Sequence, residues 1–162
     1  MDLLALHETV EALAAALRRR GWRLATAESC TGGLIAAACT QLAGSSDWFE
    51  RGFVTYSNAA KTALLGVDAT LVDAHGAVSE AVALAMVRGA LVRAPVELAV
   101  AVTGIAGPGG AVPGKPVGTV WLAWGTARGV TAERLQLSGD RDAVRMAAVR
   151  AALRRLIEAA GA

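Results

Sequence analysis

The segment from Tyr56 to Lys61 collects residue types that are rare elsewhere in this chain. The sequence has 16 basic residues, of which 14 are Arg and only two are Lys, and it has a single Tyr, Tyr56, and a single Asn, Asn58. An Arg side chain keeps its proton in proteins, whereas the amine of a Lys can lose one once its pKa is lowered. Lys61 is therefore a candidate general base. The alternative is that rare residues cluster by chance on a polar loop.

The elements around this segment place Lys61 near the beginning of a helix. Residues 48–57 have the pattern of a strand, and Asn58 is a suitable N-cap. The helix that follows is expected to end at about Leu65, before Gly66. Lys61 is then the third helical residue, where unpaired N–H groups create a positive potential. This potential, together with any burial, favours the uncharged amine that a general base requires.

A second candidate is Ser29, which follows a predicted strand over residues 22–27 and precedes two glycines and an apolar helix. A Ser on such a turn presents its hydroxyl at the edge of a sheet. The N–H groups that open the next helix have no partners within that helix. Those of Thr31, Gly32 and Gly33 can therefore hold an anion or an oxyanion. The alternative is an ordinary Ser/Thr N-cap, with the glycines serving the turn.

Ser29 and Lys61 form the remaining nucleophile and base pair, because neither histidine is a plausible partner. His7 lies on the first predicted helix and His75 in a turn, so a Ser-His-Asp triad has little support. As an uncharged amine, Lys61 takes the hydroxyl proton while Ser29 attacks a carbonyl carbon. In this hypothesis Tyr56 relays a proton or orients the amine.

Two further features indicate an anionic ligand. A glycine-rich loop follows a near-continuous apolar strand over residues 96–103. In this loop Thr103, Gly104 and Gly107 can present N–H groups to an anion, although a flexible hairpin connection is the alternative. Arg145, near the start of the last predicted helix, is poorly placed for helix stability but well placed to bind a phosphate or carboxylate.

Bulk composition narrows the class of protein. At 162 residues, 54% of them hydrophobic, the chain is long enough for one domain over residues 1–162 with a substantial core. A net charge of +2 is too weak and dispersed to indicate nucleic acid binding. No apolar run approaches the roughly 18 residues of a membrane span. Cys30 and Cys39 form no metal-ligand pattern, so no metal or other cofactor is expected, and a reducing, cytoplasmic compartment is predicted.

The predicted elements form one layered α/β domain with a mixed sheet of about five strands. Strands are expected over residues 22–27, 48–57, 96–103, 117–125 and 130–137. The last two form an antiparallel hairpin, in which Trp121 and Trp124 point to opposite faces. Trp48, Phe49 and several Ala-rich faces form either the core or a dimer surface. A homo-oligomer, most simply a dimer, is therefore expected.

Five segments, in order along the chain, resemble the CinA C-terminal domain family, the nicotinamide-nucleotide amidohydrolases or NMN deamidases. They are residues 26–33, TAESCTGG; 56–61, YSNAAK; 76–80, GAVSE; 103–110, TGIAGPGG; and 115–120, KPVGTV. The resemblance implies a three-layer α/β/α fold, no metal, and hydrolysis of the carboxamide of nicotinamide mononucleotide to nicotinate mononucleotide and ammonia. It also implies that the Ser, Tyr and Lys of the family correspond to Ser29, Tyr56 and Lys61.

A non-catalytic nucleotide-binding or interaction module of the same fold is the alternative function. The catalytic hypothesis predicts ammonia release that rises with pH, whereas the binding module predicts ligand-induced thermal stabilisation without turnover. In the catalytic hypothesis the partner is a small-molecule substrate, a pyridine mononucleotide. The expected substrate-binding residues are Thr31, Gly32, Gly33, Asn58, Thr103, Gly104, Gly107 and Arg145.

Overall fold

A central five-stranded sheet with helices on both faces organises the computed structural model, which describes residues 2–161. The strands are β1 (Leu24–Glu28), β2 (Phe49–Val54), β3 (Leu98–Gly104), β4 (Thr119–Thr126) and β5 (Gly129–Gln136). The helices are α1 (His7–Arg20), α2 (Leu34–Thr40), α3 (Asn58–Leu65), α4 (Ala69–His75), α5 (Glu80–Arg93) and α6 (Arg141–Ala159). Short 3-10 turns cover Leu4–Leu6 and Ser45–Asp47. This architecture confirms the predicted three-layer α/β/α fold with a mixed sheet of five strands.

The direction of the strands creates one edge at which three carboxyl ends meet. The strand order is β2-β1-β3-β4-β5, with β1 parallel to both β2 and β3 and the remaining pairs antiparallel. Glu28, the last residue of β1, is in register with Val54 on β2 and Val102 on β3. In open α/β sheets, ligands bind outside the carboxyl ends of the parallel strands. This edge is therefore the expected location of a site.

The central strand β3 divides its side chains between two cores. Leu98, Val100 and Val102 pack among residues of α1, α2 and α6, whereas Ala99 and Ala101 face the core that includes α5. All five side chains are buried, as the near-continuous apolar run predicts. Each large aliphatic side chain buried in this way contributes about 1.5–3 kcal/mol to folding, so the strands that carry the site residues are firmly anchored.

A close helix contact fixes α3 against α5. A Cβ atom on Gly89 of α5 would stand 2.1 Å from the carbonyl oxygen of Leu65, the last residue of α3, so only glycine allows this approach. Gly66 then ends α3 in the left-handed conformation, with φ of 67°. The position of α3 matters because this helix carries Lys61.

One sequence expectation needs correction at β2. This strand ends at Val54, three residues earlier than predicted, because Ser57 is already the N-cap of α3. Trp48 precedes the strand and is fully buried, which selects the core from the two alternatives that the sequence leaves open for this residue. Trp121 and Trp124, as predicted, pack in different cores on opposite faces of the sheet.

No helix within residues 2–161 is both long and apolar enough to cross a membrane.

Candidate active site

Ser29, Lys61 and Tyr56 come together at the edge where β1, β2 and β3 end. Ser29 directly follows β1, and its N–H donates to the carbonyl of Val102 on β3 over 3.0 Å. Thr55 follows β2 and donates its N–H to the carbonyl of Glu28 over 2.8 Å. A pocket of about 200 Å³ opens between these strand ends. Its polar lining comprises Ser29, Tyr56, Asn58, Lys61, Thr103 and Arg141.

The amine of Lys61 is in hydrogen-bond contact with the hydroxyl of Ser29. The distance from Nζ to Oγ is 3.0 Å, and Nζ also donates to the backbone carbonyls of Thr55 at 3.0 Å and Tyr56 at 3.5 Å. Lys61 is only 1% exposed, and Ser29 is buried at the pocket wall. No carboxylate within residues 2–161 forms an ion pair with this amine. The candidate nucleophile and the candidate base are therefore within hydrogen-bond reach of each other, as the sequence predicts.

Burial is the main cause of the altered ionisation of Lys61. Burial disfavours the ammonium form and lowers the pKa of Lys61 below its ordinary value of 10.5, with a smaller opposing effect from the neighbouring Cys30. The predicted start of the helix that carries Lys61 is wrong by one residue. Ser57, not Asn58, is the N-cap of α3, so Lys61 is the fourth helical residue and its own N–H already bonds to the carbonyl of Ser57.

Tyr56 contacts the pair through its backbone and not through its ring. Its carbonyl oxygen lies 3.5 Å from the amine of Lys61. The residue is 62% exposed, and its hydroxyl accepts a hydrogen bond from Nη2 of Arg141 over 3.1 Å. The carbonyl therefore helps to orient the amine, while the phenol hydroxyl stands at the mouth of the pocket.

The turn after β1 is held by the buried carboxylate of Glu28, a residue to which the sequence hypothesis gives no role. Its oxygens accept hydrogen bonds from the hydroxyl of Thr31 at 2.7 Å and from the N–H groups of Gly33, Ile35 and Ala36 at 2.9–3.1 Å. A carboxylate at the start of a helix satisfies donors that have no partner within the helix. The Ser29 turn is thereby fixed to the first turn of α2.

This arrangement changes the roles expected of Thr31, Gly32 and Gly33. The N–H of Gly33 donates to Glu28, and the N–H of Gly32 donates to the carbonyl of Ser29 over 3.0 Å. Thr31 is fully buried. The prediction that Gly32 and Gly33 hold an oxyanion is therefore wrong for this structure, because both donors are already used. The three residues shape the turn that carries Ser29.

Arg145 also acts on this turn and not on the pocket. Its Nε donates to the carbonyl of Cys30, and its Nη2 donates to that of Thr31, both over 3.1 Å. The side chain is 19% exposed and packs beside Gly32. The guanidinium expected to bind a phosphate is thus occupied by backbone oxygens of the chain itself.

The glycine-rich loop contributes three of the expected residues in different ways. Thr103 and Gly104 line the pocket, and the hydroxyl of Thr103 donates to the carbonyl of Ala77 over 2.9 Å. Gly107 stands outside the lining, where its carbonyl accepts a hydrogen bond from Nη1 of Arg141 over 2.8 Å. Asn58 lines the pocket as predicted, although it is not the helix cap.

Arg141 is the pocket residue that the sequence analysis missed. It is the first residue of α6, where Asp140 is the N-cap, and its guanidinium contacts Gly107 and Tyr56. A basic residue at a helix start is poorly placed for helix stability, and Arg141 is closer to the start of α6 than Arg145 is. This signal in the sequence could have identified Arg141.

Cys30 lies beside Ser29 in the pocket but is unsuited to act as a nucleophile. Burial raises the pKa of its thiol to about 12, and the thiolate is the reactive form. A Cβ atom on Gly104 would stand 3.1 Å from its sulfur. Cys30 therefore packs the wall of the pocket, and Ser29 remains the nucleophile candidate.

The chain is similar to known proteins over most of its length. The CinA C-terminal domain family matches residues 6–160. A relative from Pseudomonas putida, named nicotinamide-nucleotide amidohydrolase PncC, is 57% identical over 142 residues, which are 88% of this chain and 89% of the relative. A protein of the same name from Escherichia coli K12 is 53% identical over 152 residues, 93% of this chain and 92% of the relative.

The fold is likewise shared with solved structures. The competence/damage inducible protein CihA from Agrobacterium tumefaciens matches with a TM-score of 0.92 and 46% sequence identity, over 94% of each chain. A CinA superfamily protein from Klebsiella pneumoniae matches with a TM-score of 0.92 and 42% identity, over 99% of this chain and 98% of the other. The similarity therefore extends over the whole layered domain.

Proposed function

The chain belongs to the CinA C-terminal domain family, and on that premise we propose that it hydrolyses the carboxamide of nicotinamide mononucleotide to nicotinate mononucleotide and ammonia. Relatives more than 50% identical carry the name of this activity. The observation that carries the proposal is the contact of 3.0 Å between Nζ of Lys61 and Oγ of Ser29 in a pocket wall. This is the geometry of a nucleophile with its general base.

The surroundings of Lys61 suit an uncharged amine. An uncharged amine has two N–H groups and one lone pair. The carbonyls of Thr55 and Tyr56, at 3.0 and 3.5 Å, are the acceptors for the two N–H groups. The lone pair is then left for the hydroxyl proton of Ser29, and burial, which lowers the pKa of Lys61, favours this form.

The reaction proceeds in two stages. Lys61 takes the proton of Ser29 while Oγ attacks the carboxamide carbon, and the proton then passes to the amide nitrogen, which leaves as ammonia. The nicotinoyl group remains as an ester on Ser29. Water, deprotonated by the same amine, attacks this ester, and the carboxylate product and the Ser29 hydroxyl are released.

The oxyanion that forms at the carbonyl needs a hydrogen-bond donor. The N–H of Cys30 donates to no other residue within residues 2–161, and Cys30 lines the pocket directly after the nucleophile. The N–H of the residue after a Ser nucleophile is a common oxyanion donor in hydrolases. We assign this role to Cys30, in place of the donors at Gly32 and Gly33. One such donor is worth roughly 10²–10³-fold in turnover.

The size of the pocket indicates which part of the substrate enters it. A volume of about 200 Å³ is below the roughly 300–1,000 Å³ of pockets that enclose a drug-sized ligand. The pyridine carboxamide therefore enters, and the ribose phosphate stays at the mouth. Thr103, whose hydroxyl proton is donated to Ala77, presents its oxygen as an acceptor for the amide N–H₂.

Ammonia release from nicotinamide mononucleotide tests the proposal. The wild-type chain should release ammonia, Ser29→Ala should not exceed background, and Lys61→Arg should lose about 10²–10⁴-fold, because Arg keeps the charge but cannot act as a base. Thermal stabilisation by the nucleotide in both variants would establish that they still fold and bind. Binding by the wild type without any ammonia release would instead identify a non-catalytic nucleotide-binding module.

A further inference from the structure

We infer that Arg141 recognises the phosphate of the substrate and thereby makes the site selective for a mononucleotide over pyridine amides that lack a phosphate. This inference rests on the proposed function, since it concerns the same pocket. It assigns to Arg141 the anion-binding role that the sequence suggested for Arg145.

The position of Arg141 suits a group that projects from the pocket. Arg141 is exposed and lines the pocket. Its guanidinium is held by the carbonyl of Gly107 at 2.8 Å and the hydroxyl of Tyr56 at 3.1 Å. A guanidinium has five N–H donors, so these two contacts orient the group and leave donors for phosphate oxygens. The side chain is thus pre-oriented at the mouth, where the ribose phosphate must lie.

Charge in and around the pocket favours an anion at this point. Among the lining residues, Lys61 and Arg141 are basic and none is acidic. Lys61 is buried beside Ser29, so Arg141 is the lining cation that solvent and a large ligand reach.

The nearest carboxylates in sequence are engaged elsewhere. Asp140 accepts a hydrogen bond from the N–H of Ala143. Oδ1 of Asp142 lies 4.0 Å from Nη1 of Arg145. Within residues 2–161 Arg141 forms no ion pair, so its charge is available to a ligand. Arg145 is excluded because it does not line the pocket: its Nε and Nη2 donate to the carbonyls of Cys30 and Thr31, in the turn behind Ser29.

Equilibrium binding in a Ser29→Ala background tests the inference independently of turnover. Calorimetry would compare nicotinamide mononucleotide with nicotinamide riboside, which lacks the phosphate. Adding Arg141→Ala should weaken the mononucleotide about 10- to 100-fold, the range for loss of charge-assisted hydrogen bonds, and leave the riboside within about threefold. Arg141→Lys, which keeps the charge with fewer donors, should recover part of the loss.

A matched control is Arg128→Ala, which removes the same charge from the exposed β4–β5 turn, at the opposite end of the sheet. It should change neither affinity. Equal weakening of mononucleotide and riboside by Arg141→Ala would overturn the inference in favour of a role in shaping the pocket. An unchanged mononucleotide affinity would overturn it as well. A further outcome is that Arg141→Ala weakens binding of the mononucleotide alone while the wild-type chain releases no ammonia. That result would sustain the inference and refute only the proposed hydrolysis.

Discussion

The amine of Lys61 lies 3.0 Å from the hydroxyl oxygen of Ser29, although 32 residues separate the two in sequence. The contact exists because β1 and β2 run parallel and end together, so that the turn after β1 meets the helix after β2. The amine is buried, and backbone carbonyls instead of a carboxylate surround it. The protonation state of Lys61 should therefore affect both the free energy of unfolding and the ability of this amine to act as a base.

The free energy of unfolding should depend on pH because the amine of Lys61 is buried. The pKa of Lys61 is 10.5 in the unfolded chain and lower in the folded chain. At pH values between these two pKa values, the unfolded chain therefore binds more protons than the folded chain. The stability of the wild type relative to Lys61→Met should therefore increase as pH rises through this window, by up to about 1.4 kcal/mol per pH unit, and become constant above 10.5. Urea unfolding at a series of pH values measures this difference.

Lys115→Met is the matched control for that titration, because it removes the other lysine of the chain. The amine of Lys115 donates to the carbonyl of His75 at the end of α4, and Lys115 is not among the residues that line the pocket of Ser29 and Lys61. If the stability of Lys61→Met followed the wild type in parallel at every pH, burial would not be altering the ionisation of Lys61.

Glu28 should be essential for the position of Ser29. In Glu28→Gln an N–H₂ group replaces one carboxylate oxygen and faces backbone N–H donors in a fully buried site. We expect a loss of about 1–3 kcal/mol in the free energy of unfolding, and lower turnover. Glu11→Gln, a surface substitution on α1, is the control for loss of a carboxylate. Equal stability of the two variants would contradict the role given to Glu28.

Gly104 should not tolerate a side chain. A Cβ atom there would lie 2.6 Å from Cγ2 of Val120, 3.0 Å from the carbonyl of Thr119 and 3.1 Å from the sulfur of Cys30. Gly104→Ala should therefore destabilise the fold by about 1–3 kcal/mol and reduce ammonia release. Gly109→Ala, in the loop that follows β3 and with open space around the Cβ position, should stay within about 0.5 kcal/mol of wild type. Similar melting temperatures for both variants would refute the steric argument.

The layered fold and the Ser29–Lys61 pair were predictable because both depend on local patterns and on strand order. Apolar runs such as β3 indicate a strand covered on both faces, and residues at the ends of adjacent parallel strands meet. The rarity of lysine indicated Lys61, although the physical cause of its lowered pKa is burial, which depends on tertiary packing.

The roles of backbone donors and of the two arginines were not predictable in the same way. Whether Gly33 has a free N–H depends on Glu28, a strand residue whose carboxylate turns back to the start of α2. Arg141 and Arg145 are one helical turn apart, and only the position of α6 against the Ser29 turn decides which of them reaches the pocket. Such contacts are set by packing between distant segments, not by residue type and spacing.

The most direct test of the central claim is a titration of Lys61 itself. With only two lysines in the chain, protein labelled with carbon-13 at the lysine Cε gives two signals, and Lys115→Arg assigns them. We predict that the Lys61 signal titrates below 10.5, at the same pH at which kcat/KM for nicotinamide mononucleotide rises, because the free enzyme must hold an unprotonated base. A Lys61 signal that titrates at or above 10.5, while kcat/KM has already reached its plateau at neutral pH, would contradict the account.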